Sequence, residues 1–363
     1  MPKDFSYLLK PEIYHPLSPL TIPAPFRQPT RQPAPETPIP ALLQSGHFRA
    51  AAISAVQALT SPGLSPTDHA RIFELLYARL ACLCLMDAMP LAAQEVKALE
   101  DLSSGFYVDG VTGAHLVPWA LRILGVRLQA IGFGDPRRAV MSYYELAREA
   151  RAEVARAVRT RDHSAAEVWK ARLADLGVRV AGALVEMDDL AGAAEHLATL
   201  DPRSEGQDGK GDGRLAMSRA LMWLHLGDVE AAKRCIRDGR ADETGQKVVD
   251  ALADMADGEY EAALQKWKAL RTEMEESGVR DEMVGVNLAV CLLYVGRMEE
   301  GREVLEGLVE DGHASHTLLF NLTTIYELAT DRAKSLKVRL AERVAALEPS
   351  SQGWEKTNVD FKL

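Results

Sequence analysis

NLAVCLLYVGRMEEGREVLEGLVE (287–310) and LLFNLTTIYELATDRAKSL (318–336) decide how this chain folds. Each reads as two short helices with a tight joint between them. The first helix carries a small residue midway, Ala289 in one copy and Thr323 in the other, and breaks at Gly296 or at Ala329–Thr330. A second amphipathic helix follows. One such pair cannot bury its apolar face alone, so a chain that repeats the pair stacks neighbours into a shared core.

Toward the N-terminus the same joint recurs at Gly258 (ADGEYEAALQKWKAL), Gly227 (LHLGDVEAAKRCI), Asp188 (VEMDDLAGAAEHLATLDP) and Gly134 (AIGFGDPRRAVMSYYEL). Weaker copies sit at Asp87 (LMDAMPLAAQEVKAL) and Gly46 (LQSGHFRAAAISAVQALTSP). Gly tolerates the left-handed backbone that ends a helix, and Asp caps the start of the next. Ala at 51, 92, 139, 193, 232 and 263 lets two helices approach closely. Four residues later, on the same helical face, Tyr143, Leu197, Ile236, Trp267 and Leu305 fill the space between pairs. Pro62, Pro202 and Pro349 close second helices. This is the tetratricopeptide (TPR) pattern, whose standard period is about 34 residues. The joints here are spaced 41, 47, 54, 39, 31 and 38 residues apart, so the array is degenerate, with loops between pairs. The expectation is an all-α fold, an α-solenoid of degenerate TPR hairpins over 41–347.

Residues 1–40 hold eleven of the eighteen prolines and no glycine, which predicts an extended Pro-rich arm. Phe5, Tyr7, Leu8, Ile13, Tyr14, Leu17, Leu20, Ile22 and Phe26 are spread through it, more apolar side chains than a disordered tail carries. The arm is therefore expected to lie along the solenoid or dock on a partner. SSGFYVDGVTGAHLVPW (103–119) reads as an ordered loop between pairs, and residues 204–214 as a flexible one. Residues 348–363 form a polar tail with Trp354 and Phe361 as anchors.

Ala, Leu, Glu and Arg dominate a composition that is 6% aromatic, which favours helix over strand. The N-terminus shows no charged segment followed by an apolar run, so no secretion signal is expected, and the run Leu80–Met86 is too short to span a bilayer. Cys82, Cys84, Cys235 and Cys291 lie among apolar residues without a metal-like cluster, and read as reduced cytosolic thiols. The net charge of −10 is concentrated at 201–311, whereas 137–172 is basic. Glu145, Glu149 and Glu153 interleave with those bases at helical spacing, so a solvated face is expected there and no nucleic-acid surface.

No constellation carrying chemistry emerges. DGKGDG (208–213) fails as a phosphate loop, because Gly211 follows Lys210 where Ser or Thr belongs. It fails as a calcium loop, because Lys210 takes a ligand position and Arg219 stands where the closing Glu belongs. His313 and His316 lack a third ligand at metal spacing. The expectation is a non-enzyme with no metal and no cofactor, binding partners through its inner groove. Met283, Asn287, Val290 and Tyr294 from one first helix, and Phe320, Asn321, Thr324 and Glu327 from the next, are the candidate groove residues. Asn287 and Asn321 occupy the position used by TPR domains that grip a C-terminal carboxylate, but Val248 and Leu252 stand where such a clamp needs Lys or Arg. Hydrogen bonding between helices is the structural alternative for both asparagines.

LLQSGHFRAAA (42–52), HLVPWALRILGVRLQ (115–129), NLAVCLLYVGR (287–297) and LLFNLTTIYELATDRAKSLK (318–337) together resemble the subunit 12 family of the transport protein particle (TRAPP) complex. The FNLTT-x-YEL run is the most specific of them. Residues 201–260 match only by repeat logic, and longer family members carry an additional N-terminal region where this chain has its Pro-rich arm. The resemblance implies a scaffold subunit of a TRAPP III-type vesicle tethering assembly that activates a Rab1/Ypt1-class GTPase by nucleotide exchange. It implies roles in endoplasmic reticulum-to-Golgi transport and autophagy. The implied partners are subunits 8, 11 and 13, with the GTPase contacted only indirectly. The implied location is the cytoplasm, at early secretory and Golgi membranes touched only through the complex. A free-standing TPR peptide-binding adaptor or co-chaperone is the alternative.

Overall fold

The computed structural model describes residues 3–18, 22–27, 32–200, 213–239 and 241–356. Among them are sixteen α-helices, which fall along the chain into eight pairs. α1 (Ile39–Gln44) and α2 (Phe48–Leu59) flank Gly46, and α3 (His69–Leu85) and α4 (Met89–Glu95) flank Asp87. α5 (Trp119–Phe133) and α6 (Pro136–Thr160) flank Gly134, and α7 (His163–Glu186) and α8 (Leu190–Thr199) flank Asp188. α9 (Gly213–His225) and α10 (Val229–Asp238) flank Gly227, and α11 (Glu243–Ala256) and α12 (Tyr260–Glu276) flank Gly258. α13 (Glu282–Tyr294) and α14 (Met298–Glu310) flank Gly296, while α15 (His316–Ala329) and α16 (Ala333–Ala346) flank Thr330.

The seven Gly or Asp joints read from the sequence are all left-handed, from φ 58° at Asp87 to 83° at Gly227 and Gly296. At six of them, the N–H of the next residue donates to the carbonyl five positions earlier, as in Asp228 to Trp223 at 2.9 Å and Arg297 to Leu292 at 2.8 Å. This bond satisfies a carbonyl that the ending helix leaves without a partner, and it turns the chain for the next helix. Asp189 and Asp228 then cap the new helix by accepting from the N–H of Gly192 and Ala231. The eighth joint lacks Gly, and Thr330 is extended instead, at φ −160°. The small-residue positions Ala51, Ala92, Ala139, Ala193, Ala232 and Ala263 are all buried, and so are Tyr143, Leu197, Ile236 and Trp267 four residues after the last four of them, together with Leu305.

The chain divides into two compact units, Met1–Phe133 with Arg302–Leu363 and Gly134–Gly301. In the second unit each helix from α6 to α12 packs on its successor, and α9 also packs on α11. That order of contacts is the α-solenoid arrangement, a core strung between neighbouring repeats. In the first unit α1 to α5 pack successively, α3 also touches α5, and α15 packs on α16. Among the described residues the one extended pairing is an isolated bridge between Val108 and His115, inside the 103–119 loop. No helix of the described residues is long and apolar enough to cross a membrane.

The N-terminal segment is built into the first unit. Short 3-10 turns at Ser6–Leu9, Pro11–Ile13 and Ala24–Arg27 interrupt the extended path expected for it. Phe5, Leu8, Tyr14, Ile22 and Phe26 are buried, so these side chains serve the unit's own core and do not face a partner. Phe5 sits edge-on to Phe73 of α3 at 5.0 Å and to Phe106 of the 103–119 loop at 5.3 Å. A fully buried ion pair holds the same segment. Arg79 of α3 grips Glu95 of α4 through Nε at 2.9 Å and a second nitrogen at 2.6 Å. Arg79 also donates to the His15 carbonyl, and the His15 N–H donates to Glu95 at 2.9 Å.

The C-terminal segment returns to the same place. Glu355 accepts from the backbone N–H of Arg49 at 2.8 Å, capping α2, whose own N-cap His47 makes no side-chain cap. Trp354 packs on Phe26 with ring centroids 4.2 Å apart. Gly46 permits the approach, since a Cβ there would lie 1.9 Å from the Ser350 carbonyl oxygen. Most of the loop expected at 204–214 lies outside the described residues, as do Leu20, Pro202 and the anchor expected at Phe361.

Candidate interaction surface

α13 is apolar nearly all round. Val284, Val286, Leu288, Ala289, Cys291 and Leu292 are buried against its unit, which leaves one strip accessible. That strip is the set read from the sequence, at spacings of four, three and four residues. Met283 is 43% exposed and Tyr294 64%, with Asn287 and Val290 half-buried between them. Exposure of two large side chains at the ends of an otherwise buried helix is the pattern of a contact surface. Tyr294 does not stand alone: its ring stacks on Tyr260 of α12, 4.1 Å between centroids and 2° from parallel. Tyr260 was missed in the sequence. It occupies the aromatic position two residues after the Gly258 joint, and Tyr294 stands two residues before Gly296, so the repeat frame held the signal.

α15 repeats the strip in the other unit. Phe320 is 43% exposed and stacks on His316 at 5.9 Å, while Asn321 and Thr324 are half-buried and Glu327 is exposed. Leu328, 60% exposed, extends this surface and was not among the residues read from the sequence. Glu327 is engaged within the unit by the buried Lys337 of α16, at 2.5 Å. Behind the strip, the buried Tyr326 donates to Glu306 at 2.7 Å, and burial raises its phenol above the ordinary range.

The two asparagines answer to a local role. The Asn287 side-chain amide donates to the Met283 carbonyl at 2.9 Å, and that of Asn321 to Thr317 at 2.8 Å. Thr324 likewise donates to Phe320 at 2.8 Å. In each of these bonds the donor is turned back on its own helix, one turn earlier. Such bonds lower the desolvation cost of covering the strip, because one N–H of each amide already has a partner. The accessible surface on each helix is thus largely apolar and aromatic, with polar side chains that donate to their own helix.

The four cysteines are free thiols, with Cys82 and Cys291 buried and Cys84 and Cys235 partly so. Burial pushes the Cys82 thiol up to about 12 and Cys291 to about 11. Among the described residues, no group of three or more His, Cys, Asp or Glu side chains could hold a metal ion.

Successive helical hairpins, seven of them turned at left-handed joints, with small residues buried at the crossing points, define an all-α TPR-type repeat protein of the α-solenoid class. No protein-family profile matches the chain. It is similar to the trafficking protein particle complex subunit 12 of Homo sapiens, 25% identical over 324 residues that cover 80% of this chain and 42% of that one. It is also similar to the Mus musculus subunit 12, 25% identical over 352 residues, 85% of this chain and 43% of that one. The chain spans less than half the length of these relatives. A crystal structure of a TPR protein from Parabacteroides merdae superposes at a TM-score of 0.41 with 14% identity, over 75% of this chain and 90% of that chain. The fold assignment rests on the hairpins themselves and not on that likeness.

Proposed function

We propose that this chain is a non-catalytic scaffold subunit of an assembly of the trafficking protein particle kind, holding other subunits through its helical surface. The observation that carries the reading is the similarity to subunit 12, which runs through four fifths of the chain and so includes residues of both compact units. In finer terms the assembly is TRAPP III-type, tethering vesicles and supporting nucleotide exchange on a Rab1/Ypt1-class GTPase in endoplasmic reticulum-to-Golgi transport and autophagy. Subunits 8, 11 and 13 are the partners, and the GTPase and membrane are reached only through the complex, in the cytoplasm at early secretory and Golgi membranes. The accessible strips, Met283, Asn287, Val290 and Tyr294 on α13 and Phe320, Asn321, Thr324 and Glu327 on α15, are the contact residues.

Support for the scaffold role comes from the chemistry of these strips. Two exposed aromatic side chains and a methionine, flanked by amides that each donate one N–H within their own helix, suit a protein interface. The test is affinity capture of the tagged chain at near-physiological salt, followed by mass spectrometry. Stoichiometric recovery of trafficking protein particle subunits is the expected result. Recovery of chaperones alone replaces the reading with a free-standing peptide-binding adaptor.

A further inference from the structure

α6 and α7 are the longest helices, 25 and 24 residues, and they pack along each other as a hairpin turned at the left-handed Arg161. Their charge runs against that of the chain. Residues 136–186 carry ten Arg or Lys and seven Asp or Glu, whereas the whole chain has a net charge of −10. Near the start of this hairpin a cavity of about 270 Å³ opens between α6, α7 and α8, with Leu215 of α9 also lining it. Its floor is apolar, with Ala147, Leu176 and Val180 buried and Leu173, Ala174 and Leu200 half-buried. Gly177 makes the space possible, because a Cβ there would meet a Leu200 methyl at 2.7 Å.

The rim is different in kind. Arg151 and Lys170 stand on it, both exposed, with Tyr144 45% exposed on the same side. Lys170 pairs with Glu167 at 2.8 Å across one exposed turn, a contact that water largely screens. Arg151 makes no ion pair among the described residues. Tyr144, Ala147 and Arg151 follow one another at helical spacing, and Met141, 68% exposed, extends the stripe by one turn. The volume falls just below the roughly 300–1,000 Å³ of sites that enclose a whole small molecule, and is of the size that seats a single side-chain anchor.

We propose that this pocket is a second docking site, which seats one large apolar side chain of an acidic segment on a partner protein. The apolar floor takes the anchor, while Arg151 and Lys170 meet the carboxylates beside it. Charge complementarity selects an acidic peptide over a neutral one, because the exposed basic hairpin repels basic segments and attracts acidic ones. The site lies wholly within the second unit and shares no residue with the strips on α13 and α15. It stands whether or not the assembly reading holds.

The experiment uses the whole chain and two fluorescein-labelled helical peptides, one with a Leu face and a Glu face, the other with Lys in place of every Glu. Fluorescence anisotropy should show binding of the Leu/Glu peptide, weakening with added salt, and none of the Leu/Lys peptide. Arg151→Glu combined with Lys170→Glu changes only exposed positions, and should weaken binding at least about tenfold. Ala174→Phe fills the pocket from its wall and should weaken it comparably, with unchanged circular dichroism. Binding that survives both changes overturns the proposal. So does failure of the Leu/Glu peptide to bind, or a single-stranded oligonucleotide that binds where the peptide does not, which would make the hairpin a nucleic-acid face.

Discussion

Replacing Gly46 and Gly258 by Ala separates two things that a joint glycine can do. Both are left-handed, at φ 76° and 80°, so each alanine costs about 1–2 kcal/mol for its backbone alone. At Gly258 nothing lies within 4 Å of the added Cβ, and that conformational term is the whole effect. At Gly46 the Cβ would lie 1.9 Å from the Ser350 carbonyl oxygen, so the C-terminal segment must move away. With it go the Glu355 cap on α2, about 1 kcal/mol, and the Trp354–Phe26 ring contact, about 0.5–1.5 kcal/mol. Gly46→Ala should therefore cost about 3–4 kcal/mol, roughly twice Gly258→Ala, by adding those contributions. Hydrogen exchange read by mass spectrometry assigns each loss to its place. Residues 348–356 and the first turn of α2 should exchange at least about tenfold faster in Gly46→Ala, since 1.4 kcal/mol is a factor of ten, and should be unaffected in Gly258→Ala. Equal protection of residues 348–356 in both variants would show that Gly46 does not seat the C-terminal segment.

Other expectations follow from single contacts. Arg79→Met leaves the buried Glu95 without its cation and should destabilise the first unit by about 3–5 kcal/mol in urea unfolding, with faster exchange over residues 3–18. Arg79→Met with Glu95→Leu should recover much of that loss. Burial raises the Glu355 carboxyl above its ordinary value of 4.5. A carboxyl raised in the folded state favours folding while it is protonated, so docking of the C-terminal segment should be strongest below about 4.5 and weaken as pH rises through the elevated value. Glu355→Gln should flatten that dependence in exchange measured against pH. With thiols pushed up to about 12 and 11, Cys82 and Cys291 should remain unlabelled by maleimide at neutral pH while partly exposed Cys84 and Cys235 react, which peptide mapping would resolve. Asn287→Ala and Asn321→Ala should each cost at most about 1 kcal/mol, the net worth of one hydrogen bond, with helical circular dichroism intact.

The joints were legible because a helix end that turns back needs a residue tolerant of positive φ, and that requirement writes Gly or Asp at a fixed place. Where the same geometry falls on Arg161, no such residue marks it, and the long α6–α7 hairpin went unread as a unit. The buried Ala positions and their partners four residues on were legible for a similar reason, since helix crossing fixes their size. Long-range closure was not. Arg79 and Glu95 lie sixteen residues apart on different helices, and Glu355 caps a helix 306 residues upstream, so no local pattern announces either. The apolar content of the N-terminal segment was visible, but not its destination in the core beside Phe73. The accessibility of the two strips was legible in composition and frame. Their hydrogen bonds were not, because an amide turned back on its own helix and one reaching a neighbour have the same sequence.

The claim that matters most is that exposed side chains of the first helices hold the partners. Capture of the assembly with Tyr294→Asp and Phe320→Asp, both at exposed positions, tests it most directly. Burying a carboxylate in an apolar interface costs several kcal/mol, so recovery of co-purifying subunits should fall at least about tenfold, while the isolated variant keeps its helical circular dichroism and elution volume. Undiminished recovery of the same subunits would contradict the account and move the interface elsewhere on the chain.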